Sequence, residues 1–208
     1  MTLIDLQALE RAPLVREPFD FLVVPDALSP AAQAAVHADY PAIESPANHP
    51  LEDLHPGPAF AQLMAELQGP AFARALGARF DLPLETMPST VTVRKYCERT
   101  DGNIHTDHRS KLLTVLVYFN PEWPSPEGRL RLLRSPDDLD DYAAEVPPLA
   151  GTLLAFRRTD HSWHGHSRYV GERRMVQLNY LDPRPLAVLH QRASRFATHF
   201  MKDVLRIR

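Results

Sequence analysis

The chain has 208 residues, 44% of them apolar, enough to bury one good core and too few to require two. Its formal net charge is only -3 and its basic residues form no long run, which excludes a surface built to hold a nucleic-acid backbone or anionic lipid. Cys97 is the only cysteine, so there is no intramolecular disulfide framework and no thiolate zinc cage.

The opening MTLIDLQALERAPLV carries acidic residues where a secretion signal needs a basic start, and no apolar run approaches the roughly 20 residues of a membrane span. A cytoplasmic protein without membrane or nucleic-acid partners is the expectation. After the apolar run FLVV (21–24), Asp26 and Ser29 stand where a helix can be capped, and Pro30 suits its first turn. This predicts a helix over Pro30 to Asp39, stopped before Pro41. GPAFAQLMAEL (57–67) and GPAFARALGARF (69–80) share an opening and space apolar residues three and four apart, the pattern of two consecutive helices.

From Ser89 the texture changes to β-branched runs divided by turn residues. STVTVRKY (89–96), KLLTVLVYFN (111–120), GRLRLL (128–133), GTLLAF (151–156) and RRMVQLNYL (173–181) are of strand length, and helical spacing fits none of them. PEWPSPEG (121–128) reads as a tight loop and SPDDLDDYAAEVPPLAG (135–151) as a longer excursion with one helical turn. The tail ASRFATHFMKDVLRI (193–207) has helical spacing and is expected to close the chain as a helix. The organisation is therefore a single domain: an N-terminal helical brace over 1–88, a strand-rich core over 89–182 and a C-terminal helix over 183–208.

Two strands say more than their propensity. KLLTVLVYFN is apolar on both faces, as expected of a strand covered on both sides. RRMVQLNYL sets Val176, Leu178 and Tyr180 on one face and Arg173, Met175, Gln177 and Asn179 on the other. If Arg173 points inward, a buried guanidinium without a carboxylate is costly, and a bound ligand could supply that carboxylate.

Ten histidines include two knots, HTDH (105–108) and HSWHGH (161–166). Residues i and i+2 of an extended chain project to the same side, so His105 and Asp107 can reach one metal. HxD alone occurs often by chance. A third ligand from the second knot would complete a two-histidine, one-carboxylate face that leaves Fe(II) positions open for a chelating cosubstrate and dioxygen. Zinc hydrolysis fits poorly, because the fuller pattern needs a histidine where Asn103 stands.

Taken together, HTD (105–107), LLTVLVYFN (112–120), EGRLRLL (127–133), GTLLAFRRTDHSWHGH (151–166) and GERR (171–174) resemble the Fe(II)/2-oxoglutarate-dependent oxygenases, in particular their prolyl 4-hydroxylase-like branch. The resemblance covers roughly residues 90–182, and the opening EPFDFLVVPDALSP (17–30) is similar to bacterial members. It implies a mainly β fold with flanking helices, a double-stranded β-helix of the jelly-roll or cupin-like kind. His105 and Asp107 match the first two iron ligands. His164 matches the third because Arg173, nine residues on, then falls at the family's arginine for the distal carboxylate of 2-oxoglutarate; His161 and His166 fit that interval worse.

Alternation favours Arg173 over Arg174 for that role, since Arg174 shares the face of Val176, Leu178 and Tyr180. The resemblance places Tyr118 and Thr114 with the same carboxylate and Tyr96 beside the iron and cosubstrate. Arg94, sharing the face of Tyr96, could meet an anionic substrate, and Trp163 and Asn179 fall to the surroundings of the site. At EGR (127–129) many relatives have two glycines, which touches turn geometry and leaves the ligands alone. The implied cofactors are Fe(II) and 2-oxoglutarate, the co-reactant is dioxygen, and the outcome is hydroxylation of a small-molecule, amino-acid or peptidyl C–H bond, proline included. Asp107 argues against halogenation, which needs a small residue there. A metal-binding sensor barrel is the alternative, and it would have no use for a cosubstrate clamp.

Overall fold

The computed structural model describes residues 2–184. Four helices precede the sheet-rich part: α1 (Leu6–Arg11), α2 (Pro30–Ala38), α3 (Pro58–Leu67) and α4 (Pro70–Phe80). Ser29 caps α2 by accepting from the Ala32 N–H, with Pro30 at the first position. Helix α3 begins after Gly57, which has no side chain to cap it, and Asp39 reaches across to accept from the Ala59 N–H at 2.6 Å. The three longer helices thus follow the spacing and punctuation of the sequence.

Nine strands follow or interleave: β1 (Phe21–Val24), β2 (His49–Pro50), β3 (Ser89–Cys97), β4 (Lys111–Tyr118), β5 (Leu130–Leu133), β6 (Tyr142–Val146), β7 (Leu153–Arg157), β8 (His164–Gly165) and β9 (Gly171–Leu181). They form a six-stranded sheet in the order β1-β7-β4-β9-β3-β2 and a three-stranded sheet in the order β6-β5-β8. All strand pairings are antiparallel. The two sheets enclose one interior, a double-stranded β-helix, as expected.

The excursion 135–151 differs from its expected helical turn. Its YAAEV segment is β6, because pairing with β5 gives its backbone groups partners and sets Glu145 opposite Arg131, where Arg131 Nε donates to Glu145 at 2.7 Å. A cross-strand ion pair of this kind favours the ladder over a lone turn. The expected C-terminal helix lies outside the described residues. Among the described residues, no helix is long and apolar enough to cross a membrane.

Two cores divide the work. On the outer face of the large sheet, Val91, Val93, Leu113, Val115, Val117, Val176, Leu178 and Tyr180 pack against Phe60, Leu63, Leu67, Phe72 and Leu76 of α3 and α4. Between the sheets, Leu116, Tyr118, Leu154, Phe156 and Met175 meet Leu130, Leu132 and Val146. Strand β4 therefore contributes one parity to each core, which is why both its faces are apolar. The helices anchor the large sheet from behind and leave its inner face to shape a site.

Candidate metal and cosubstrate site

Strand β8 of the small sheet supplies His164, and an isolated bridge brings His105 to it. His105 and His164, far apart in sequence, are direct antiparallel partners: each backbone N–H donates to the other's carbonyl at 3.0 Å. Cross-strand partners hold their side chains close on one face, and here the two rings lie with centroids 4.3 Å apart. Asp107, two residues on from His105, completes a cluster with ligand-capable atoms all within 4.8 Å of one another.

Both rings are set for metal binding. His105 Nδ1 lies 2.9 Å from the Asn103 carbonyl and His164 Nδ1 lies 3.0 Å from the Ser162 carbonyl. A carbonyl only accepts, so each Nδ1 carries the proton and each Nε2 keeps its lone pair. Among the described residues no hydrogen bond engages either Nε2. Orienting a ligand histidine through its other nitrogen in this way is the usual support of a metal centre. Burial pushes the His164 ring down to about 4, and although Asp107 pulls the other way, the imidazole is neutral near pH 7.

Asp107 is buried, which by itself would raise its pKa, but Lys111, the His164 ring and the Thr114 hydroxyl hold it down at about 2. Lys111 Nζ donates to Oδ1 at 2.6 Å and Thr114 Oγ1 donates to Oδ2. Two imidazole Nε2 atoms and one carboxylate suit a divalent iron and leave part of its coordination sphere open. His161 is exposed, and His166 is buried elsewhere, its Nδ1 held by the Ser167 carbonyl at 2.9 Å. His164, not either neighbour, is the histidine brought to His105 and Asp107.

Arg173 is buried too, 3% exposed. Its Nε donates to the Gly128 carbonyl at 2.8 Å, while the outer nitrogens lie against Met175 Sδ at 3.3 Å, the Tyr118 hydroxyl at 3.4 Å and the neighbouring Cys97 thiol. Its guanidinium also lies 5.2 Å from the centre of the Tyr118 ring. Among the described residues it has no ion-pair partner. A buried cation with loosely bonded outer N–H groups calls for an anion. Tyr118 stays a phenol there, its pKa raised by burial against the pull of Arg173.

Gly128 makes this support available through its backbone. Its φ is +71, and an added Cβ would lie 2.9 Å from Trp123 and 3.0 Å from Tyr169. Of the two glycines expected in this turn, the one that remains stands where a side chain would not fit. Arg174 points to the opposite face, where it pairs with Glu172 and contacts His37 of α2 at 3.2 Å. The alternation argument thus separates the two arginines as expected.

Other expected residues take different places. Thr114 serves Asp107 and lies 3.3 Å from Asn179 Oδ1, which also accepts from Gln177 at 2.9 Å. Arg94 is paired with Asp101 and donates through Nε to the Tyr96 carbonyl at 2.8 Å, so its charge already has a partner. The β3–β9 register slips between Arg94 and Tyr96, with the extra residue on β9. Tyr96 is half-buried with Lys95 Nζ 5.2 Å from its ring centre. Trp163 is half-buried, and its carbonyl accepts from the Leu133 N–H at 2.9 Å. The residues not foreseen are Lys111, whose only sequence signal is a lysine four places after Asp107, and Arg158, whose Nε holds the Asp107 carbonyl at 3.0 Å.

A double-stranded β-helix with a His-Asp-His cluster and a buried arginine in its interior is an arrangement able to hold a mononuclear metal beside an anion. Residues 91–181 match the family model of the 2OG-Fe(II) oxygenase superfamily, so the barrel segment is similar to that superfamily. No curated protein sequence matches the chain. Among solved structures, a prolyl 4-hydroxylase from Phytophthora capsici is 15% identical with TM-score 0.60, covering 89% of this chain and 68% of that one. A Trichoplax adhaerens prolyl hydroxylase, in complex with a hypoxia inducible factor peptide fragment, is 16% identical with TM-score 0.50, covering 78% and 83%. A Pseudomonas putida prolyl-4-hydroxylase is 19% identical with TM-score 0.48, covering 61% of this chain and 64%, under two thirds, of that one. These are likenesses of fold.

Proposed function

We propose that the protein is a 2-oxoglutarate-dependent hydroxylase that inserts oxygen into an unactivated C–H bond of a small molecule, an amino acid or a peptidyl residue, proline included, with release of succinate and carbon dioxide. The observation that carries this reading is Arg173, a buried cation with no carboxylate of its own among the described residues, in the same barrel as the triad. A barrel that only sensed metal would have no use for it.

His105, Asp107 and His164 would hold the iron, and Arg173 with Tyr118 would hold the far carboxylate of 2-oxoglutarate. Together these cofactors turn dioxygen into an oxidant strong enough for a C–H bond, at the cost of decarboxylating the keto acid. The chain's own contribution is to present two Nε2 lone pairs and one carboxylate oxygen on a rigid sheet, to orient the keto acid from its remote end, and to keep water out with the surrounding apolar wall of Leu116, Leu154 and Phe156. The Trichoplax relative's peptide makes proline-containing peptides a natural probe beside free amino acids.

The test is succinate release under air from protein loaded anaerobically with Fe(II), across free amino acids, proline-containing peptides and small metabolites, with mass spectrometry for the gain of one oxygen atom. His105→Ala and Asp107→Ala are expected to lose metal binding and succinate release while keeping the fold. Wild-type turnover in both variants, or no succinate from the wild type under any condition, would remove the proposal.

A further inference from the structure

Lys111 opens β4, and the register of β4 against β9 slips between Lys111 and Leu113. A slip of this kind re-aims a side chain out of the regular alternation. Here the Lys111 ammonium lies 2.6 Å from Asp107 Oδ1, with side-chain exposures of 14% and 7%. So shielded a pair keeps far more of its Coulombic weight than a surface pair does.

The cations around Asp107 differ in their commitments. Arg158 reaches only the Asp107 backbone carbonyl, and its Nη1 is paired with Asp160 at 2.8 Å. Among the described residues, Lys111 has no ion-pair partner except Asp107 itself. The charge balance follows directly. Asp107 is the triad's only negative charge, and the Lys111 ammonium 2.6 Å away offsets it. A divalent cation arriving here meets a site of no net charge, where the triad alone would offer one negative charge. The deficit is made good only by a further anion, and 2-oxoglutarate brings two negative charges.

We propose that Lys111 is a positioning residue that couples the two cofactors: by offsetting the Asp107 charge it weakens binding of divalent metal alone and makes firm metal binding depend on the dianionic keto acid. Thr114 on the second oxygen completes the arrangement, since a donor on each side of the carboxylate holds it in one orientation. By linkage, the factor by which 2-oxoglutarate strengthens metal binding equals the factor by which metal strengthens 2-oxoglutarate binding. The inference rests on the metal-site reading above.

The experiment uses Mn(II), which binds as Fe(II) does without oxidation chemistry, titrated into metal-free protein with and without 2-oxoglutarate, and read by the electron paramagnetic resonance signal of free Mn(II). Wild type is compared with Lys111→Met, Lys111→Gln and Lys111→Arg, each checked for fold by circular dichroism. The two neutral variants are expected to bind Mn(II) alone about tenfold more tightly, and to lose about that factor from the enhancement by 2-oxoglutarate. The arginine variant keeps the charge and is expected to stay within about twofold of wild type on both measures.

A purely structural lysine would give the opposite pattern, with weaker metal binding in all three variants. Equal or weaker Mn(II) binding in both neutral variants overturns the proposal, as does an arginine variant that follows them. If those results come with normal wild-type binding of metal and keto acid, only the role of Lys111 falls. If the wild type binds no Mn(II) with or without 2-oxoglutarate, the metal-site reading falls with it.

Discussion

Replacing Arg173 by alanine separates the cosubstrate from the metal. The guanidinium is buried, its Nε is spent on the Gly128 carbonyl, and its outer nitrogens face a thioether and a distant hydroxyl. A carboxylate arriving there gains charge-assisted hydrogen bonds worth about 1.5 to 3 kcal/mol each. Losing one corresponds to roughly ten- to a hundredfold in affinity, and losing a bidentate pair to more. Iron binding should be nearly unchanged, because Arg173 is not one of the three residues whose ligand atoms converge. Arg173→Lys restores charge without the planar fork and is expected to rescue only part of the loss. Arg174→Ala should leave the keto acid alone, since that side chain is engaged with Glu172 and His37 on the opposite face. The assay is titration of 2-oxoglutarate into anaerobic Fe(II) protein, followed by the metal-to-ligand charge-transfer absorption. An Arg174 variant that binds the keto acid more weakly than the Arg173 variant would refute the face argument. Absence of the band in the wild type would refute 2-oxoglutarate as the ligand of this site.

Two further outcomes are expected. His164→Ala should lose metal that His161→Ala and His166→Ala retain, measured as bound iron after anaerobic loading and desalting; loss confined to the His166 variant would displace the third ligand by two residues. Phe60, fully buried against Tyr40 and Phe119 at ring distances of 5.1 and 5.9 Å, should cost about 3 to 5 kcal/mol when cut to alanine. That lowers the melting temperature by on the order of 10 °C for a chain of this size, and a change of only a degree or two would contradict the place given to α3 in the core.

The parts of the molecule legible in the sequence are those where a periodic pattern meets a large apolar surface. Helices α2, α3 and α4 and strands β3, β4, β7 and β9 stand within a few residues of their expected bounds, because each buries a stripe or face that the spacing of Val, Leu and Phe already displays. Short elements escaped for the converse reason. Helix α1 has six residues and rests on the Asp5 cap, with the Glu66 carboxylate of α3 accepting from the Leu3 and Ile4 N–H groups just before it. Strand β8 has two residues and exists through its partners in β5 and at His105. No local propensity encodes such contacts, since they depend on segments distant in sequence.

The site divides along the same physical line. The faces of Arg173 and Arg174 follow strand parity even though the β3–β9 register slips beside them, between Met175 and Glu172, because pairing with β4 runs through Met175 and on to the bond from the Phe119 N–H to the Arg174 carbonyl at 3.1 Å. Parity misleads at the other slip, where β4 carries an extra residue between Lys111 and Leu113: a lysine that reads as the solvated start of an apolar strand is delivered to the Asp107 carboxylate. An irregularity in the ladder costs hydrogen bonds and is kept where it aims a side chain that the regular pleat could not. The residues that alternation misplaces in this barrel are therefore the ones to examine for control of its chemistry, and Lys111 touches a metal-ligand candidate directly.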